Sequence, residues 1–380
     1  MDSYDTVIIG GGPVGSRVAE IIAENGFSTM ILEEHREIGK PVQCSGLVSK
    51  NVIDLSEIGK KSVIMPLKRA EIIAGETKLS IESNNERVFL IDRSIFDKEM
   101  ARKALKKGAE IRMGARAESF KRKGGKIEVL GNHEGEKLRV ETNLVIGADG
   151  LYSITARNFG LDRPKEILGA LQFHIAEEVE EIKIFPEPEN TFFSWQIPLP
   201  EGSLIGTATP HGNAAKILRK RFGNFEKKSV SMYGGGIPLG YLKNIADDNI
   251  MIVGDAAAQV KPLSGGGLYP GLIAANIAGK IAVKSLENGD FSRKTLSAYQ
   301  KEWVNSVGKE IRNGMLLRKI YSNISEKDVE KVLSALKDKK LIEIIEKEGD
   351  IDHPSALARS LIKASPKLLV FSRYLSGLLV

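Results

Sequence analysis

Apolar positions along the chain recur with two spacings, and a change of spacing marks each new element. Thr6-Val7-Ile8-Ile9 is a β-branched run ending in Gly10-Gly11-Gly12, which predicts a buried strand and a tight turn. From Pro13 to Asn25 the positions of Val14, Val18, Ile21 and Ile22 are helical, and Gly26 stops the pattern. Ser28 to Leu32 is again a strand, closing at Glu33, so the N-terminus reads as one βαβ unit of about 30 residues. Residues 66–91 look like strands, and Ile91-Asp92-Arg93-Ser94 leads into a helix ending near Lys107. Strands are predicted at Glu110–Met113, Ala115–Lys121 and Lys126–Leu130, with the charged stretch from Gly131 to Glu136 as a hairpin tip. Leu144–Gly150 reads as a buried strand with a glycine-rich end. Strand-like pieces return at Leu168–Ala176, Ile182–Phe185, Thr191–Pro198 and Ser203–Ala208. Asn249–Val253 is a further buried strand before Gly254-Asp255, and a helix of small residues follows from Gly267 to Asn288. The remaining residues read as mostly helical, with no internal repeat and no low-complexity tract.

Composition narrows the class without naming a chemistry. The 380 residues suffice for two or three domains. Lys and Arg number 55 against 49 Asp and Glu, a net charge of +6 spread along the chain. That excess suits an acidic partner or an anionic membrane surface; with no nucleic-acid motif, nucleic acid is not expected as a partner. A single cysteine, Cys44, excludes an internal disulfide, a redox pair and a Cys-rich metal site, so no metal is expected. No stretch reaches the ~20 apolar residues that span a bilayer, and no signal peptide is evident, so the expectation is a cytoplasmic protein.

The chemistry begins with Gly10-Gly11-Gly12-Pro13-Val14-Gly15, which matches GxGxxG between a strand and a helix. Gly10 permits the turn, Gly12 lets backbone approach a pyrophosphate, and Gly15 allows close helix–strand packing. The helix N-terminus offers free amides and its positive dipole end to the phosphates. Glu33, 18 residues after Gly15, stands where a carboxylate accepts hydrogen bonds from ribose hydroxyls. In that context a merely structural glycine turn is the weaker reading.

Two later segments bear on which dinucleotide is bound. Gly147-Ala148-Asp149-Gly150, followed by Ser153 and Arg157, resembles the Gly-Ala-Asp-Gly element of the large flavoprotein hydroxylase and reductase superfamily. Val253-Gly254-Asp255-Ala256-Ala257 resembles its Gly-Asp element, whose aspartate binds the ribityl chain of FAD. The implied cofactor is FAD and the implied fold class is α/β (α+β). A Rossmann-like FAD-binding domain is expected from residues 1–65, 91–160 and 245–290. An antiparallel-sheet substrate domain of 66–90 and 161–244 is inserted into it, and 291–380 form a C-terminal helical region.

The chain more narrowly resembles the archaeal and plant geranylgeranyl reductases. The resemblance rests on Gly39-Lys40-Pro41-Val42-Gln43-Cys44-Ser45-Gly46, on Asp92-Arg93-Ser94-Ile95-Phe96-Asp97 and on Phe193-Ser194-Trp195-Gln196-Ile197-Pro198. A fourth segment runs from Gly254-Asp255 through Pro262-Leu263-Ser264-Gly265-Gly266-Gly267-Leu268-Tyr269. The resemblance implies flavin contacts at Val14, Glu33, Cys44, Ser45, Arg93, Ala117, Asp255, Gly267 and Leu268. Gly266 and its neighbours supply unhindered amides before a helix, suited to the flavin pyrimidine edge, and Asp149 is grouped with these cofactor ligands. Arg93 reads equally as a pyrophosphate or ribityl contact and as an ion-pair partner of Asp97 one turn on. The family's usual Tyr-x-Trp-x-Phe-Pro is here Phe193-x-Trp195-x-Ile197-Pro198, which leaves an apolar wall without the Tyr hydroxyl. Alternatively, Phe193 and Trp195 are core residues of a strand face.

The implied activity is FAD-dependent saturation of isoprenoid double bonds, with Phe193, Trp195 and Tyr269 lining an apolar tunnel. The proton is expected from Cys44, the candidate catalytic residue, or from an ordered water. Two rivals share the cofactor. An aromatic hydroxylase usually carries Gly-Asp-Ala-Ala-His and Gly-Gln-Gly, where this chain has Ala258 and Gly265-Gly266-Gly267. A non-catalytic flavin-bound prenyl-lipid carrier is the other. With one dinucleotide fingerprint only, ferredoxin and NAD(P)H both stand as electron donors. The basic, apolar tail from Lys367 to Val380 reads as a peripheral contact with the inner face of the cell membrane, or as a last helix packed on the core.

Overall fold

The computed structural model describes residues 2–83 and 85–368. The elements run β1 (Asp2–Ile9), α1 (Pro13–Glu24), β2 (Thr29–Glu33), β3 (Leu47–Ser49), α2 (Lys50–Ser56), β4 (Val63–Leu67), β5 (Arg69–Ala74), β6 (Thr77–Glu82), β7 (Val88–Ile91) and α3 (Arg93–Lys106). They continue with β8 (Glu110–Met113), β9 (Ala115–Lys123), β10 (Lys126–His133), β11 (Glu136–Gly147), α4 (Ile154–Asn158), β12 (Glu166–Ile175), β13 (Ile182–Glu187), β14 (Phe192–Pro198), β15 (Ser203–Thr209), α5 (Ala214–Phe222) and β16 (Ser229–Leu239). The chain closes through β17 (Ala246–Asp247), β18 (Ile250–Ile252), α6 (Leu268–Asn288), α7 (Arg293–Leu296), α8 (Ala298–Trp303), α9 (Lys309–Tyr321), α10 (Glu326–Leu336), α11 (Lys339–Glu348) and α12 (Pro354–Ala364).

The first sheet has the order β17-β18-β11-β1-β2-β8, and the pairings from β18 to β8 are parallel. Its central strands are apolar on both faces because helices or crossing strands cover both. Val7, Ile8, Val145, Ile146 and Met251 are all fully buried. Small residues set the helix spacing: a Cβ on Gly271 of α6 would stand 2.8 Å from Val14 Cγ2, and one on Gly279 would stand 2.9 Å from Ile21. The hairpin of β9 and β10 extends this sheet through β11. Its predicted tip narrows to Glu134-Gly135, since the ladder runs on to His133 opposite Glu136 and both turn residues have positive φ.

The second sheet, order β16-β12-β15-β14-β13-β5-β6, is antiparallel except where β5 pairs with β13. The strands β4 and β7 do not join it; with β3 they form a separate three-stranded sheet. Opposed pairs run Gly235–Ala170–Ala208 and Gly206–Trp195–Ile184, so these residues share one face. The other face carries Phe173 and Ile205, covered by Leu218 of α5 and by Phe225. Two elements here escaped the sequence pattern: α5, a single helix among strands, and β16, whose Gly234-Gly235-Gly236 and Pro238 look like loop. Glycine is tolerated because β16 is an edge strand, and at Gly236 a neighbour crowds the space a side chain would take. A Cβ on Gly236 would meet Leu151 Cδ2 at 2.2 Å.

The C-terminal helices α9 and α10 fasten the second sheet. In α9, Arg318 is buried and donates to Thr191 Oγ1 and Glu166 Oε1, each at 2.8 Å, and to the Thr191 carbonyl. Val329 and Leu333 of α10 close an apolar cluster over Ala74 and Leu79. The tail predicted to touch a membrane lies outside the described residues from 369 onward. Among the described residues no helix is long and apolar enough to cross a membrane.

Candidate functional site

The parallel strands β1, β11 and β18 end at a common edge, where ligands of open α/β sheets bind. A cavity of about 360 Å³ opens there between the first sheet and the inserted one. Its walls are Gly12 to Gly15 at the start of α1, the segment around Gln43 and Cys44, Arg93 of α3, Ala148 and Gly150 after β11, Gly254 and Asp255 after β18, and Gly265 to Tyr269 at the start of α6. Segments more than 200 residues apart in sequence thus meet around one elongated space.

The glycine fingerprint is shaped by close approaches. Gly10 has φ +101°, and a Cβ there would stand 2.4 Å from the Ala148 carbonyl oxygen; one on Gly15 would stand 2.2 Å from the Gly10 carbonyl oxygen. Gly12 differs, with nothing within 4 Å of the added atom, so its side faces open cavity. Glu33 stands behind this loop and accepts from the Gly11 amide at 2.8 Å and the His35 amide at 2.9 Å, with His35 Nδ1 at 2.6 Å.

At the other end, the Asp255 carboxylate faces the cavity and accepts no hydrogen bond from the described residues. Burial pushes its pKa up to about 6, with the Arg93 charge pulling the other way. Gly267 makes room for it, since a Cβ there would stand 3.0 Å from Asp255 Oδ1. Arg93 donates to Asp97 Oδ1 at 3.0 and 3.1 Å, so the ion pair foreseen as one alternative exists, and the same guanidinium is part of the cavity wall. Burial raises the Asp97 pKa, and Arg93 opposes that rise. Cys44 is half-buried on the wall, its Sγ accepting from the Gly46 amide at 3.4 Å.

These features fit FAD. Open space at Gly12 admits a pyrophosphate to the amides of α1, and the orphaned Asp255 carboxylate matches a polyol such as the ribityl chain. Gly266 and Gly267 line the same space, and their amides donate to none of the described residues.

Of the residues singled out by sequence, Gly12, Val14, Gly15, Cys44, Arg93, Asp255, Gly266, Gly267, Leu268 and Tyr269 share the cavity wall. Gly10 and Glu33 support it from behind. Ser45 lies beside the wall, and Ala117 lies in β9 opposite Gly131, within the sheet core. Asp149 is absent from the wall residues; its carboxylate accepts from Ser153 Oγ at 2.6 Å and from Thr155 N and Oγ1 at 2.9 Å, and so fixes the start of α4. Phe193 and Trp195 form a layer behind the wall, packed with Ile237, whose side chain reaches the cavity. Their rings meet edge to face at 5.8 Å.

The sequence reading missed a set of residues from the C-terminal region. Buried Lys261 lines the cavity and donates to Asp352 Oδ1 at 2.6 Å, and Asp352 accepts from Asn51 at 2.9 Å. Tyr269 Oη lies 3.2 Å from His353 Nε2, and His353 Nδ1 lies 2.8 Å from Asp350 Oδ2. A lone lysine or a histidine in a charged loop carries no periodic signal, so only the fold brings them here.

Comparisons with known proteins agree with this geometry. The FAD binding domain family profile matches residues 3–218. An uncharacterized protein of Methanocaldococcus jannaschii is 35% identical, covering 96% of each chain. A digeranylgeranylglycerophospholipid reductase of Methanosarcina acetivorans is 31% identical, covering 97% of this chain and 95% of its own. Among solved structures, a geranylgeranyl bacteriochlorophyll reductase-like protein of Thermoplasma acidophilum superposes with a TM-score of 0.87 at 24% identity, covering 97% of this chain and 98% of its own. The p-nitrophenol 4-monooxygenase of Pseudomonas putida shares the fold more distantly, with a TM-score of 0.70 at 15% identity over 92% of this chain and 98% of its own.

Proposed function

Because the chain belongs to the FAD binding domain family, in the group that holds the digeranylgeranylglycerophospholipid reductases, we propose that it is an FAD-dependent reductase saturating geranylgeranyl double bonds of ether lipids or their prenyl precursors. One observation carries the reading: full-length similarity to such reductases coincides with a cavity where an FAD cradle meets an apolar wall. The aromatic hydroxylases are more distant relatives of the fold.

Bound FAD, once reduced, supplies hydride equivalents. Gly12, Gly15, Gly267 and Asp255 hold it. The chain's other task is to fix an unactivated alkene, which has no polar handle near the reacting carbons. Leu47, Val48, Val52, Ile237 and Leu268 offer it apolar surface. At roughly 0.8 kcal/mol for each buried CH₂, one five-carbon prenyl unit contributes a few kcal/mol toward its own positioning. Holding the double bond in place removes much of the entropy barrier, and the apolar wall excludes water. Cys44 stands on the same wall as one candidate proton source. The electron donor is a small carrier such as ferredoxin, or NAD(P)H. The basic tail rests on the anionic membrane from which the lipid is drawn.

The test is mass spectrometry of geranylgeranyl lipid incubated with the dithionite-reduced holoprotein, then with ferredoxin or NADPH as reductant. The expected result is a gain of one H₂ for each double bond. Reduced flavin that is never reoxidised by lipid, with the lipid mass unchanged, refutes the proposal; substrate-stimulated oxygen consumption favours the hydroxylase.

A further inference from the structure

The alkene needs a proton as well as a hydride, and the cavity wall holds a hydrogen-bonded chain that runs from it to solvent. Tyr269 is on the wall at the start of α6. Its hydroxyl lies 3.2 Å from His353 Nε2, and the two rings meet edge to face at 5.5 Å. His353 precedes α12, and its other nitrogen, Nδ1, lies 2.8 Å from Asp350 Oδ2. The second Asp350 oxygen accepts from the Asp352 amide at 2.7 Å, so the carboxylate that orients the imidazole is itself fixed. The His353 side chain is 40% exposed, which gives the chain an outer end in water.

We propose that Tyr269 is the proton donor to the substrate, with His353 recharging it from solvent and Asp350 holding the imidazole in register; this rests on the reductase reading above. The Tyr269 O–H bond breaks as the C–H bond forms at one alkene carbon. The hydride for the other carbon would come from the FAD that Gly12, Gly15, Gly267 and Asp255 would hold. Protonated His353 then returns its Nε2 proton to the phenolate oxygen, and the neutral imidazole takes a proton from water.

One observation favours this group over the charged neighbours on the wall. Lys261 is committed to Asp352 and the Ile351 carbonyl, and Arg93 is committed to Asp97. Burial first, then Asp352 and Asp350, push the Tyr269 hydroxyl up to about 12, so it stands protonated at neutral pH, and the His353 hydrogen bond is what stabilises its oxygen when the proton leaves. The charged groups around His353 are Asp350 on its ring, the Lys261–Asp352 pair beside it, and Glu310 of α9, which holds Ser355. Tyr269 is thus catalytic in this scheme, while His353 and Asp350 act through it.

The test has two arms, both on the FAD-loaded protein. In the first, ¹⁵N-histidine NMR follows the ring of His353, assigned with His353→Asn, in wild type and in Tyr269→Phe. The expected result is a shift of the Nε2 signal in the variant, because its hydrogen-bond partner is gone; an unmoved His353 signal overturns the chain of hydrogen bonds whether or not the lipid reacts. In the second, Tyr269→Phe lowers kcat for lipid saturation about 100-fold, the ordinary scale of general acid catalysis, with KM within twofold. His353→Ala falls similarly and regains rate with added imidazoles in proportion to their acidity, a response that a purely structural histidine does not give. Full rates in both variants overturn the proposal and return the proton to Cys44 or water. A wild-type protein that saturates no prenyl lipid defeats the reductase reading instead, and the NMR arm still judges the chain.

Discussion

Gly12 and Gly15 belong to one fingerprint, yet the structure predicts opposite consequences for adding a single methyl group to each. At Gly15 the new Cβ stands 2.2 Å from the Gly10 carbonyl oxygen, closer than the 3.0 Å that real Cβ atoms keep, and the obstacle is backbone. No rotamer relieves that contact, so the turn and α1 must separate, which costs about 3 kcal/mol at the severe end of overpacking. At Gly12 the new Cβ meets nothing within 4 Å, and the backbone, at φ −65° and ψ 177°, suits alanine. Its effect on the flavin-free protein is therefore within about 0.5 kcal/mol. The empty space, however, is the approach path of the pyrophosphate to the α1 amides, so Gly12→Ala weakens FAD by about 2 kcal/mol, roughly 30-fold in Kd. The assay is thermal melting of the flavin-free proteins beside fluorescence titration with FAD. Gly15→Ala melts lower with or without flavin, whereas Gly12→Ala melts like wild type and binds FAD poorly. A Gly12→Ala protein with wild-type affinity would show that the open side of Gly12 is not where the cofactor lies.

Two further expectations concern charge. The folded pKa of Asp255, about 6, lies above its ordinary 3.8, so ionising it costs stability in the flavin-free protein. That stability falls as pH rises between those two values, by at most about 3 kcal/mol. Asp255→Asn flattens this part of the melting profile while lowering FAD affinity; a wild-type profile that is level from pH 4 to 6.5 contradicts the assignment. Removing residues 366–380 is expected to abolish co-flotation with anionic liposomes and to leave FAD content unchanged, and a truncated chain that still floats refutes the membrane role of the tail.

The parts legible in sequence were those carried by backbone rules. The βαβ unit announced itself because its period changes from strand to helix at glycines that the turn demands. Asp255 and Gly267 were visible because the flavin motif is local. Asp149 was visible for the same reason, while its hydrogen bonds to the nearby Ser153 and Thr155 donors, which fix the start of α4, were not. The strand β16 was hidden because three consecutive glycines mimic a loop, and only the fold shows Leu151 crowding the Gly236 position. Lys261, Asp350, Asp352 and His353 were out of reach for a different reason. Their role depends on long-range docking of the C-terminal region, which leaves no periodic trace.

That docking has a consequence for how the protein is made. Asn51, Lys261 and Asp352 meet in one buried knot that joins the early, middle and late parts of the chain. A ribosome has produced the glycine fingerprint, the Asp255 segment and the Gly265–Gly267 run before the partner of Lys261 exists. The nascent chain therefore carries most of a flavin cradle with one unpaired ammonium at its wall, and the cradle closes only when the loop at Asp350–His353 emerges. The wall at Lys261 is thus completed last, and a chain cut short at residue 340 retains the family's fingerprint without a finished site.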